Sequence, residues 1–444
     1  MIRFVLNNED ISTFEPAGTT VLDFVRYRKN LKGTKIGCRE GDCGACTILV
    51  GELVGDQVKY RSMTSCLMPL ANAAGKHVVT VEGINPEDGS LTPVQQAMVD
   101  ESGTQCGFCT VGFVMSLTGF CIDDTPKTAA MAVSAVDGNI CRCTGYKSIE
   151  RAACELSGQW AKGTRQYVPA YFGEIAERLR NLNGAATVLQ SGEVASAPQE
   201  PVRFVGGGTD TYVQRPEEMA DSFATPLLYN DELRGVRNIG DTIEIGGSAT
   251  VTDLLESRVM QAIFPDLYKH LKLVSSTPIR NMATLAGNFV NASPIGDMTV
   301  WFLALDAELV LSSPPYEGGV AAASADGVVL SQRTLKLKDL YLGYKELAKK
   351  PDEIITTIYF KKPSHDFRFN FEKVSKRKYL DISTVNSAIS LRVSSPHVSN
   401  GNTGDKVALT NVRATDTIIE AHVSAGGVGP IPLYLRETSA FLTG

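Results

Sequence analysis

Short apolar and alternating runs open the chain and predict a small mixed sheet carrying one helix. The predicted strands are residues 2–6 (IRFVL), 47–50 (TILV) and 76–81 (KHVVTV). A polar hairpin is predicted around Asn7 to Ser12, and a short helix from Val21 to Arg28 after the turn at Pro16 to Gly18. Together these elements predict a first domain over residues 1–84.

From Thr92 the apolar residues recur with a helical period. Thr92 is a predicted N-cap with Pro93 at the first helical position. Three further helical stretches follow, in VGFVMSLTGF, from Thr128 to Val136, and in TGYKSIERAACEL. These four helices predict a second domain over residues 85–162.

The rest of the chain predicts two more domains after a linker. Residues 163–200 hold a short amphipathic piece and the Pro/Ala/Ser-rich VASAPQEP, which indicates a linker. Residues 201–363 combine strands, a helix capped at Thr250 or Thr252, and a closing strand at 354–361. Residues 367–444 alternate as strands of a separate sheet.

Two groups of four cysteines are the main candidate chemistry. The first group follows C-x4-C-x2-C with a distant fourth member, which is the plant-type 2Fe–2S spacing. Its members are Cys38, Cys43, Cys46 and Cys66. The loop around them is rich in glycine, and glycine permits the positive φ values that wrapping a cluster requires.

The second group is C-x2-C followed by C-x-C after 31 intervening residues. Its members are Cys106, Cys109, Cys141 and Cys143. Zinc ribbons prefer two C-x2-C pairs about 15–20 residues apart, so a four-cysteine zinc site is the less favoured alternative. Two iron–sulfur clusters on one chain indicate electron transfer. Cys121 and Cys154 lack partners at ligand spacing and are predicted to be buried, inert thiols.

Composition narrows the class of protein. The net charge is -6 over 444 residues and no long basic run occurs, which disfavours nucleic-acid binding. No run of about 18 apolar residues predicts a membrane span. The N-terminus lacks the pattern of a signal peptide, so a cytoplasmic location is expected. Disulfides are rare there, and ten cysteines are therefore better explained by metal binding.

Two polar loops are candidates for a cofactor site. The segment GGGTD, Gly206 to Asp210, follows a predicted strand, and its N–H groups could hold a diphosphate. It is not a G-x-G-x-x-G motif, so a plain strand-to-helix turn remains an alternative. The second loop, ATLAGNFVNASPIGD from Ala283 to Asp297, is dense in Gly, Asn, Ser and Asp. Two such loops suit a long ligand with a diphosphate and hydroxyls.

These motifs, taken in order, resemble those of the molybdenum hydroxylases. GCREGDCGACT, QCGFCTVGF, NICRCTGY, GGGTD and ATLAGNFVNASPIGD all match the iron–sulfur and FAD subunit of that family, over essentially the whole chain. Within the family, fusion of both units on one chain favours the bacterial xanthine dehydrogenase branch. The resemblance implies an α+β multidomain fold: a β-grasp 2Fe–2S ferredoxin domain, a four-helix 2Fe–2S domain, a vanillyl-alcohol-oxidase-type FAD domain, and a C-terminal domain like that of carbon monoxide dehydrogenase flavoproteins.

The resemblance also implies cofactors and partners. Two 2Fe–2S clusters and FAD would be bound here, and molybdopterin on a large partner subunit. Electrons from purine oxidation would pass through the second cluster, the first cluster and FAD to NAD, in a heterotetramer or larger assembly. No catalytic base is expected on this chain, and its five histidines are predicted to be surface or core residues.

Single residues are assigned to FAD by the same resemblance. Those matching the diphosphate loop are Val205, Gly206, Gly207, Gly208, Thr209 and Asp210. Those matching the flavin and ribityl-diphosphate contacts are Thr284, Leu285, Ala286, Gly287, Asn288 and Asp297. Val274 and Ile355 match positions that pack on the cofactor, and Lys373, with Asp381, matches the loop beside the isoalloxazine ring.

Two departures and three alternatives accompany this hypothesis. Ala286 stands where the family has glycine, and its methyl group could crowd the phosphate side. The C-terminal domain is expected to be shortened or incomplete at Gly444. The alternatives are the same relay subunit for an aldehyde or aromatic hydroxylase, a zinc-stabilised binding scaffold, and a stand-alone NADH:acceptor flavoprotein.

Overall fold

This computed structural model describes residues 1–160, 168–184, 203–313, 331–377, 379–394 and 417–443. Strands and helices follow one another along these residues. The strands are β1 Ile2–Leu6, β2 Glu9–Thr13, β3 Thr47–Val54, β4 Gln57–Thr64, β5 His77–Val79, β6 Arg203–Val205, β7 Ala224–Pro226, β8 Val236–Ile239, β9 Thr242–Gly246, β10 Glu308–Ser313, β11 Ser331–Lys336, β12 Tyr341–Gly343, β13 Glu346–Leu347, β14 Ile354–Lys361, β15 Phe367–Val374, β16 Val385–Ser394, β17 Thr417–Gly426 and β18 Leu433–Tyr434. The α-helices are α1 Val21–Asp23, α2 Val81–Ile84, α3 Pro93–Asp100, α4 Thr110–Ile122, α5 Ala129–Ala135, α6 Lys147–Trp160, α7 Ile175–Gly184, α8 Thr211–Gln214, α9 Pro216–Ala220, α10 Val251–Glu256, α11 Arg258–Ile263, α12 Leu267–Leu271, α13 Thr277–Arg280, α14 Leu285–Asn291, α15 Asp297–Leu303 and α16 Arg436–Leu442.

Contacts divide these elements into two units. The first holds residues 1–228 together with Ser276–Met282, a short piece from later in the chain that contains α13. The second holds Tyr229–Ser275 and most of the described residues from Ala283 onward. Each unit has its own hydrophobic core. No helix among the described residues is long and apolar enough to cross a bilayer.

The first unit begins with a five-stranded sheet in the order β2-β1-β5-β3-β4. Only β1 and β5 pair in parallel, and the other pairs are antiparallel. The predicted strands and the helix from Val21 are confirmed, the helix continuing as a π-helical turn over Phe24–Arg28. Strand β4 was not predicted, although its first five residues, QVKYR, alternate between polar and apolar.

Four helices follow, as the periodicity predicts. Helix α3 begins with a capping box between Thr92 and Gln95. Helix α4 is buried on nearly all sides, which explains why it is apolar all round. Phe113 and Leu117 of α4 and Leu156 of α6 belong to one buried cluster. The α+β class expected from the sequence is confirmed.

Part of the predicted linker is ordered against the first sheet. Helix α7 packs Ile175 and Leu179 on Val5 of β1. Just before α7, Tyr171 and Phe172 contact the ring of His77 on β5. The remainder of the linker predicted at 163–200, apart from 168–184, lies outside the described residues.

The second unit contains two larger sheets. One is five-stranded, in the order β11-β10-β14-β9-β8, and includes the predicted strand 354–361. Helix α10 is capped at Thr250, one of the two predicted positions, with Asp253 completing a capping box. The other sheet runs β15-β16-β17-β18 and is antiparallel throughout. Buried Trp301 and Phe302 of α15 lie in the unit's core.

Candidate functional site

Three members of the first cysteine set, Cys38, Cys43 and Cys46, lie in a tight loop before β3, and the fourth, Cys66, follows β4. Positive φ angles at Arg39 (60°), Gly41 (79°) and Gly44 (67°) bend the backbone around the sulfurs. A Cβ placed on Gly37 would lie 2.5 Å from the Sγ of Cys43, so only glycine leaves room beside that sulfur. The N–H groups of Glu40 and Cys43 donate to the Sγ of Cys38 at 3.3 and 3.4 Å.

The four thiols of this set associate in two pairs. A hydrogen bond from Cys43, opposed by burial and aided by backbone N–H groups, lowers the pKa of Cys38 to about 5. In the second pair, hydrogen bonding to Cys66 lowers the pKa of buried Cys46. The pKa of Cys66 is raised by its bond to Cys46, by burial, and by the negative charges of Cys46 and Cys38. The charge of Cys38 thus links the two pairs.

The second cysteine set is assembled from the loop before α4 and the loop before α6. Its thiols also pair, Cys106 with Cys143 and Cys109 with Cys141. Burial, the bond to Cys141 and the charges of Cys141 and Cys106 raise the pKa of Cys109 to about 12. Thr144 donates to the Sγ of Cys141 through its N–H at 3.4 Å, and its hydroxyl lies 3.1 Å away.

Two pairs of thiols are the arrangement that a binuclear cluster needs. Each iron of a 2Fe–2S cluster takes two protein ligands, so four cysteines must approach two by two. Both sets have this pairing. Among the described residues, no group of three or more His, Cys, Asp or Glu side chains converges on a single metal position. Because the thiols of both sets lie two by two, they fit two 2Fe–2S clusters.

The two sets differ in exposure. Cys46 and Cys66 of the first set are buried, whereas Cys106 and Cys143 of the second are exposed. Large apolar side chains beside the second set are also exposed, namely Phe108, Ile140 and Tyr146. The second cluster site is therefore the one that faces outward on this unit.

The segment Gly206–Asp210 follows β6 in the first unit, as predicted, after buried Val205. Its backbone lies against the chain that follows Cys66. A Cβ on Gly208, where φ is +82°, would lie 2.4 Å from the carbonyl oxygen of Leu67. The side-chain amide of Asn72 donates to the carbonyl oxygen of Gly206 at 2.9 Å. A Cβ on Gly207 would lie 1.9 Å from the carbonyl oxygen of Met282. Protein packing alone therefore demands glycine at 207 and 208.

The N–H groups of this segment fit an anionic ligand. Within the described residues, Gly207, Gly208 and Thr209 donate no backbone hydrogen bond, although Gly207 and Gly208 are buried. Buried N–H groups are almost always paired, so consecutive ones without a backbone acceptor point to a ligand that supplies oxygens. A diphosphate has the oxygens that this segment needs.

The stretch Thr284–Asn288 lies in the second unit and uses its N–H groups internally. Those of Leu285 and Ala286 donate to the carbonyl oxygens of Ala249 and Gly247 at 3.0 and 2.9 Å. The Gly287 N–H donates to the hydroxyl of Thr284, the N-cap of α14. Ala286 packs against the hydrophobic core. Its methyl group is partly buried there, and the expected crowding of a phosphate stays a prediction.

Asp297 and Lys373 form a buried ion pair in the second unit. The Lys373 Nζ lies 2.8 Å from Asp297 Oδ2 and also donates to the carbonyl oxygens of Leu273 and Asp381. The other carboxylate oxygen of Asp297 accepts from Ser383 and Asn386. All three ammonium hydrogens of Lys373 thus have acceptors inside the protein. Val274 and Ile355 are both buried in the core of this unit.

Three family models match the chain in sequence. They are a 2Fe-2S iron-sulfur cluster binding domain over residues 4–71, a [2Fe-2S] binding domain over residues 80–154, and an FAD binding domain in molybdopterin dehydrogenase over residues 177–362. This chain belongs to the molybdenum hydroxylase family. Within that family it is an iron–sulfur and FAD electron-transfer module, as the resemblance of its motifs implied.

Relatives in the molybdenum hydroxylase family are longer than this chain. A xanthine dehydrogenase from Emericella nidulans is 30% identical over 519 residues, covering 100% of this chain and 35% of that protein. Aldehyde oxidase 2 from Macaca fascicularis is 27% identical, covering 97% of this chain and 34% of that protein. The chain thus spans about a third of the relatives it matches. A solved carbon monoxide dehydrogenase from Oligotropha carboxidovorans shows a TM-score of 0.42 at 22% identity, covering 55% of this chain and 73% of that chain.

Several residues at these molybdenum hydroxylase sites were missed from the sequence. Asn139 and Thr144 each hydrogen-bond to a cysteine loop, and Asn72 hydrogen-bonds to the segment Gly206–Asp210. Asn139 and Thr144 lie inside or beside the motif NICRCTGY, so the signal was present but had been assigned to the cysteines alone.

One prediction about the remaining thiols was wrong. Cys121 is buried as expected, but Cys154 is exposed, because it lies on the outer face of the amphipathic helix α6. The predictions for four of the five histidines agree with the structure: His77 and His270 are buried, His365 is exposed, and His422 bonds to Tyr434. His397 lies outside the described residues.

Proposed function

We propose that this chain is the electron-transfer subunit of a xanthine dehydrogenase-type enzyme. It would carry electrons from purine oxidation on a molybdopterin-binding partner through two 2Fe–2S clusters to FAD, and on to NAD. The similarity to the Emericella nidulans xanthine dehydrogenase over the full length of this chain supports the assignment.

The observation that carries the proposal is the pairing of eight thiols two by two in two separate sets. When bound, clusters of this type exchange single electrons, whereas FAD exchanges a pair as hydride, so one chain with both can join the two kinds of chemistry. The N–H groups around Cys38 and the Thr144 hydroxyl stabilise thiolate sulfur, the form that binds iron.

The FAD diphosphate would lie at the segment Gly206–Asp210. Its donors would be the N–H groups of Gly207, Gly208 and Thr209. In the second unit, Thr284–Asn288, Asp297 and Lys373 would lie near the flavin without giving it their main donors, which already have acceptors within that unit. Val274 and Ile355 would support these residues from the core of the second unit.

The partner would dock where the second cysteine set is exposed. Cys106 and Cys143 are exposed, and Phe108, Ile140 and Tyr146 present apolar surface beside them. Exposed apolar groups around a redox site suit a protein interface that excludes water and shortens the distance for electron transfer. We assign the chain to the cytoplasm, because all ten cysteines are free thiols and eight must remain reduced until iron is inserted.

Purification from the native source tests this proposal. We expect a large chain carrying molybdenum to co-purify, with iron and FAD on this chain. This chain alone should oxidise NADH with an artificial dye but should not oxidise hypoxanthine or xanthine, and adding the large chain should restore purine-dependent NAD reduction. Purine turnover by this chain alone, with molybdenum below detection, would contradict the assignment. A colourless zinc protein would instead support a binding scaffold.

A second candidate is aldehyde oxidation with the same relay. Aldehyde oxidase 2 from Macaca fascicularis is 27% identical to this chain, close to the value for the xanthine dehydrogenases. Comparing kcat/KM of the purified complex for xanthine and for aromatic aldehydes separates the two. Replacing NAD by oxygen in the same assay identifies the final acceptor.

A further inference from the structure

The two cysteine loops of the first unit are joined by a backbone hydrogen bond. The N–H of Ile140 donates to the carbonyl oxygen of Cys43 at 3.0 Å. Cys43 belongs to the first cysteine set, and Ile140 directly precedes Cys141 of the second. A continuous path of covalent bonds, interrupted by this single hydrogen bond, therefore connects the sulfurs of Cys43 and Cys141.

The side chain of Asn139 holds the loop of Cys43 against the loop of Cys141. Its Nδ2 donates to the carbonyl oxygen of Gly44 at 3.2 Å, one residue after Cys43. Its Oδ1 accepts from the hydroxyl of Ser116 on α4 at 2.8 Å. Asn139 and Ser116 are both buried. Both ends of the amide are therefore used, and the amide is anchored to the most buried helix of the unit.

Close packing at two glycines keeps the contact short. A Cβ on Gly44 would lie 2.4 Å from the Nδ2 of Asn139 and 2.4 Å from the carbonyl oxygen of Gly138. A Cβ on Gly112 would lie 2.1 Å from the carbonyl oxygen of Gly44. Side chains at either position would separate the loops. The direct approach of the two backbones is therefore a specific feature of this packing.

Electron tunnelling weakens exponentially with distance, and it weakens less along covalent and hydrogen bonds than across an empty gap. We infer that Asn139 is a positioning residue that fixes the Cys43–Ile140 hydrogen bond as the route of electronic coupling between the two clusters. The inference rests on the proposed function, since it requires both cysteine sets to hold clusters. To the proposed function, the inference adds the route between the two clusters and the residue that maintains this route.

The test compares three full-length holoprotein variants by low-temperature electron spin resonance of the fully reduced protein. Asn139→Leu has nearly the same volume as the parent side chain but cannot donate to Gly44. Cys121→Ala is the matched control, a buried change on α4 that does not involve the bridge. Ser116→Ala removes the anchor of Asn139 and keeps its donor.

In the parent protein and in Cys121→Ala, we expect signals of both clusters and a splitting from their magnetic interaction. Asn139→Leu should narrow that splitting to its through-space dipolar part while keeping both signals and about four iron per chain. Ser116→Ala should reduce the splitting. An undiminished splitting in Asn139→Leu would overturn the inference. If Asn139→Leu loses iron, the splitting in Ser116→Ala becomes the test. A reduced splitting in that variant supports the route, and an unchanged splitting overturns it.

Failure of the proposed function gives a different result. It would appear in the parent protein itself, as the absence of two distinct iron–sulfur signals. Failure of the inference would leave both signals present and their interaction indifferent to residue 139. The two outcomes are therefore distinguishable in the same set of spectra.

Discussion

Arg280 and Asp137 form an ion pair that is almost fully enclosed, with side chains only 4% and 5% exposed and Nη2 and Oδ2 2.8 Å apart. The other carboxylate oxygen of Asp137 accepts from the backbone N–H of Thr277 at 2.7 Å. The pair therefore fastens Ser276–Met282 to the loop that leads into Cys141.

Removing one partner of this pair should destabilise the first unit strongly. Arg280→Met leaves the carboxylate of Asp137 buried without its cation, and loss of one partner of a buried pair typically costs about 3–5 kcal/mol. Denaturant unfolding followed by cluster absorbance measures the change. The exposed pair Arg180–Asp56 serves as the control. Arg180→Met should lower the free energy of unfolding by less than about 1 kcal/mol. Equal effects in the two variants would show that Arg280 is not enclosed as described.

Substituting one cysteine in each set should remove one cluster at a time. Cys43→Ser should abolish the signal of the first cluster, and Cys106→Ser that of the second, because the two sets share no ligand. Each variant should retain about two of the roughly four iron atoms of the parent. Electron spin resonance and iron analysis provide the measurement. Loss of both signals in a folded single variant would refute the division of ligands.

Replacing Thr209 tests the diphosphate segment without altering a glycine. Thr209→Pro removes one N–H donor, whereas Thr209→Val removes only the hydroxyl and keeps that N–H. A hydrogen bond to a charged group contributes about 1.5–3 kcal/mol, so Thr209→Pro should weaken FAD binding roughly 10- to 100-fold. Titration of the apo-flavoprotein with FAD measures the affinity, with iron content as the check on folding. Similar affinities for the two variants would favour a plain turn. Changing Gly207 is less informative, because the carbonyl oxygen of Met282 already excludes a side chain there.

The buried ring of His77 should make the first unit sensitive to acid. Its Nε2 lies 2.9 Å from the carbonyl oxygen of Asn7 and its Nδ1 lies 2.8 Å from the hydroxyl of Tyr60. Burial lowers the pKa of His77 from 6.5 to about 4. The unfolded chain therefore takes up a proton first as the pH falls, and stability is lost between pH 6.5 and about 4.

Because of His77, the free energy of unfolding should fall by about 2 kcal/mol between pH 7 and pH 5. Denaturant midpoints at the two pH values measure it. His77→Gln should be less stable at pH 7 but should show a smaller change between the two pH values. His365→Gln, at an exposed position, should keep the slope of the parent. An unchanged slope in His77→Gln would assign the acid sensitivity to other groups.

Local patterns in the sequence predicted most of the fold and the two groups of thiols that lie together. Strand β14 and the four helices of the second predicted domain agree with the structure, since apolar period and caps such as Thr92 decide these elements locally. The cysteine spacings likewise predicted both sets of thiols that come together. Strand β4, which pairs with β3, was missed although its first five residues alternate between polar and apolar.

Contacts between distant parts of the chain could not be predicted in this way. Asn139 acts on Gly44, 95 residues earlier, and Arg280 acts on Asp137, 143 residues earlier. Neither pair has a spacing that a sequence motif could encode. The exposure of Cys154 was missed for a related reason, since burial depends on which face of a helix finds a neighbour.

The placement of Ser276–Met282 has a consequence for how the protein is made. The first unit includes residues that are synthesised well after its iron–sulfur sequence. Asp137 is paired only when Arg280 is present, and the backbone at Gly207 is covered only when Met282 is present. A gene fragment ending at residue 228 would leave a buried carboxylate without its counter-ion and one side of the glycine segment uncovered. The iron–sulfur half of this chain is thus completed only once translation has passed residue 282.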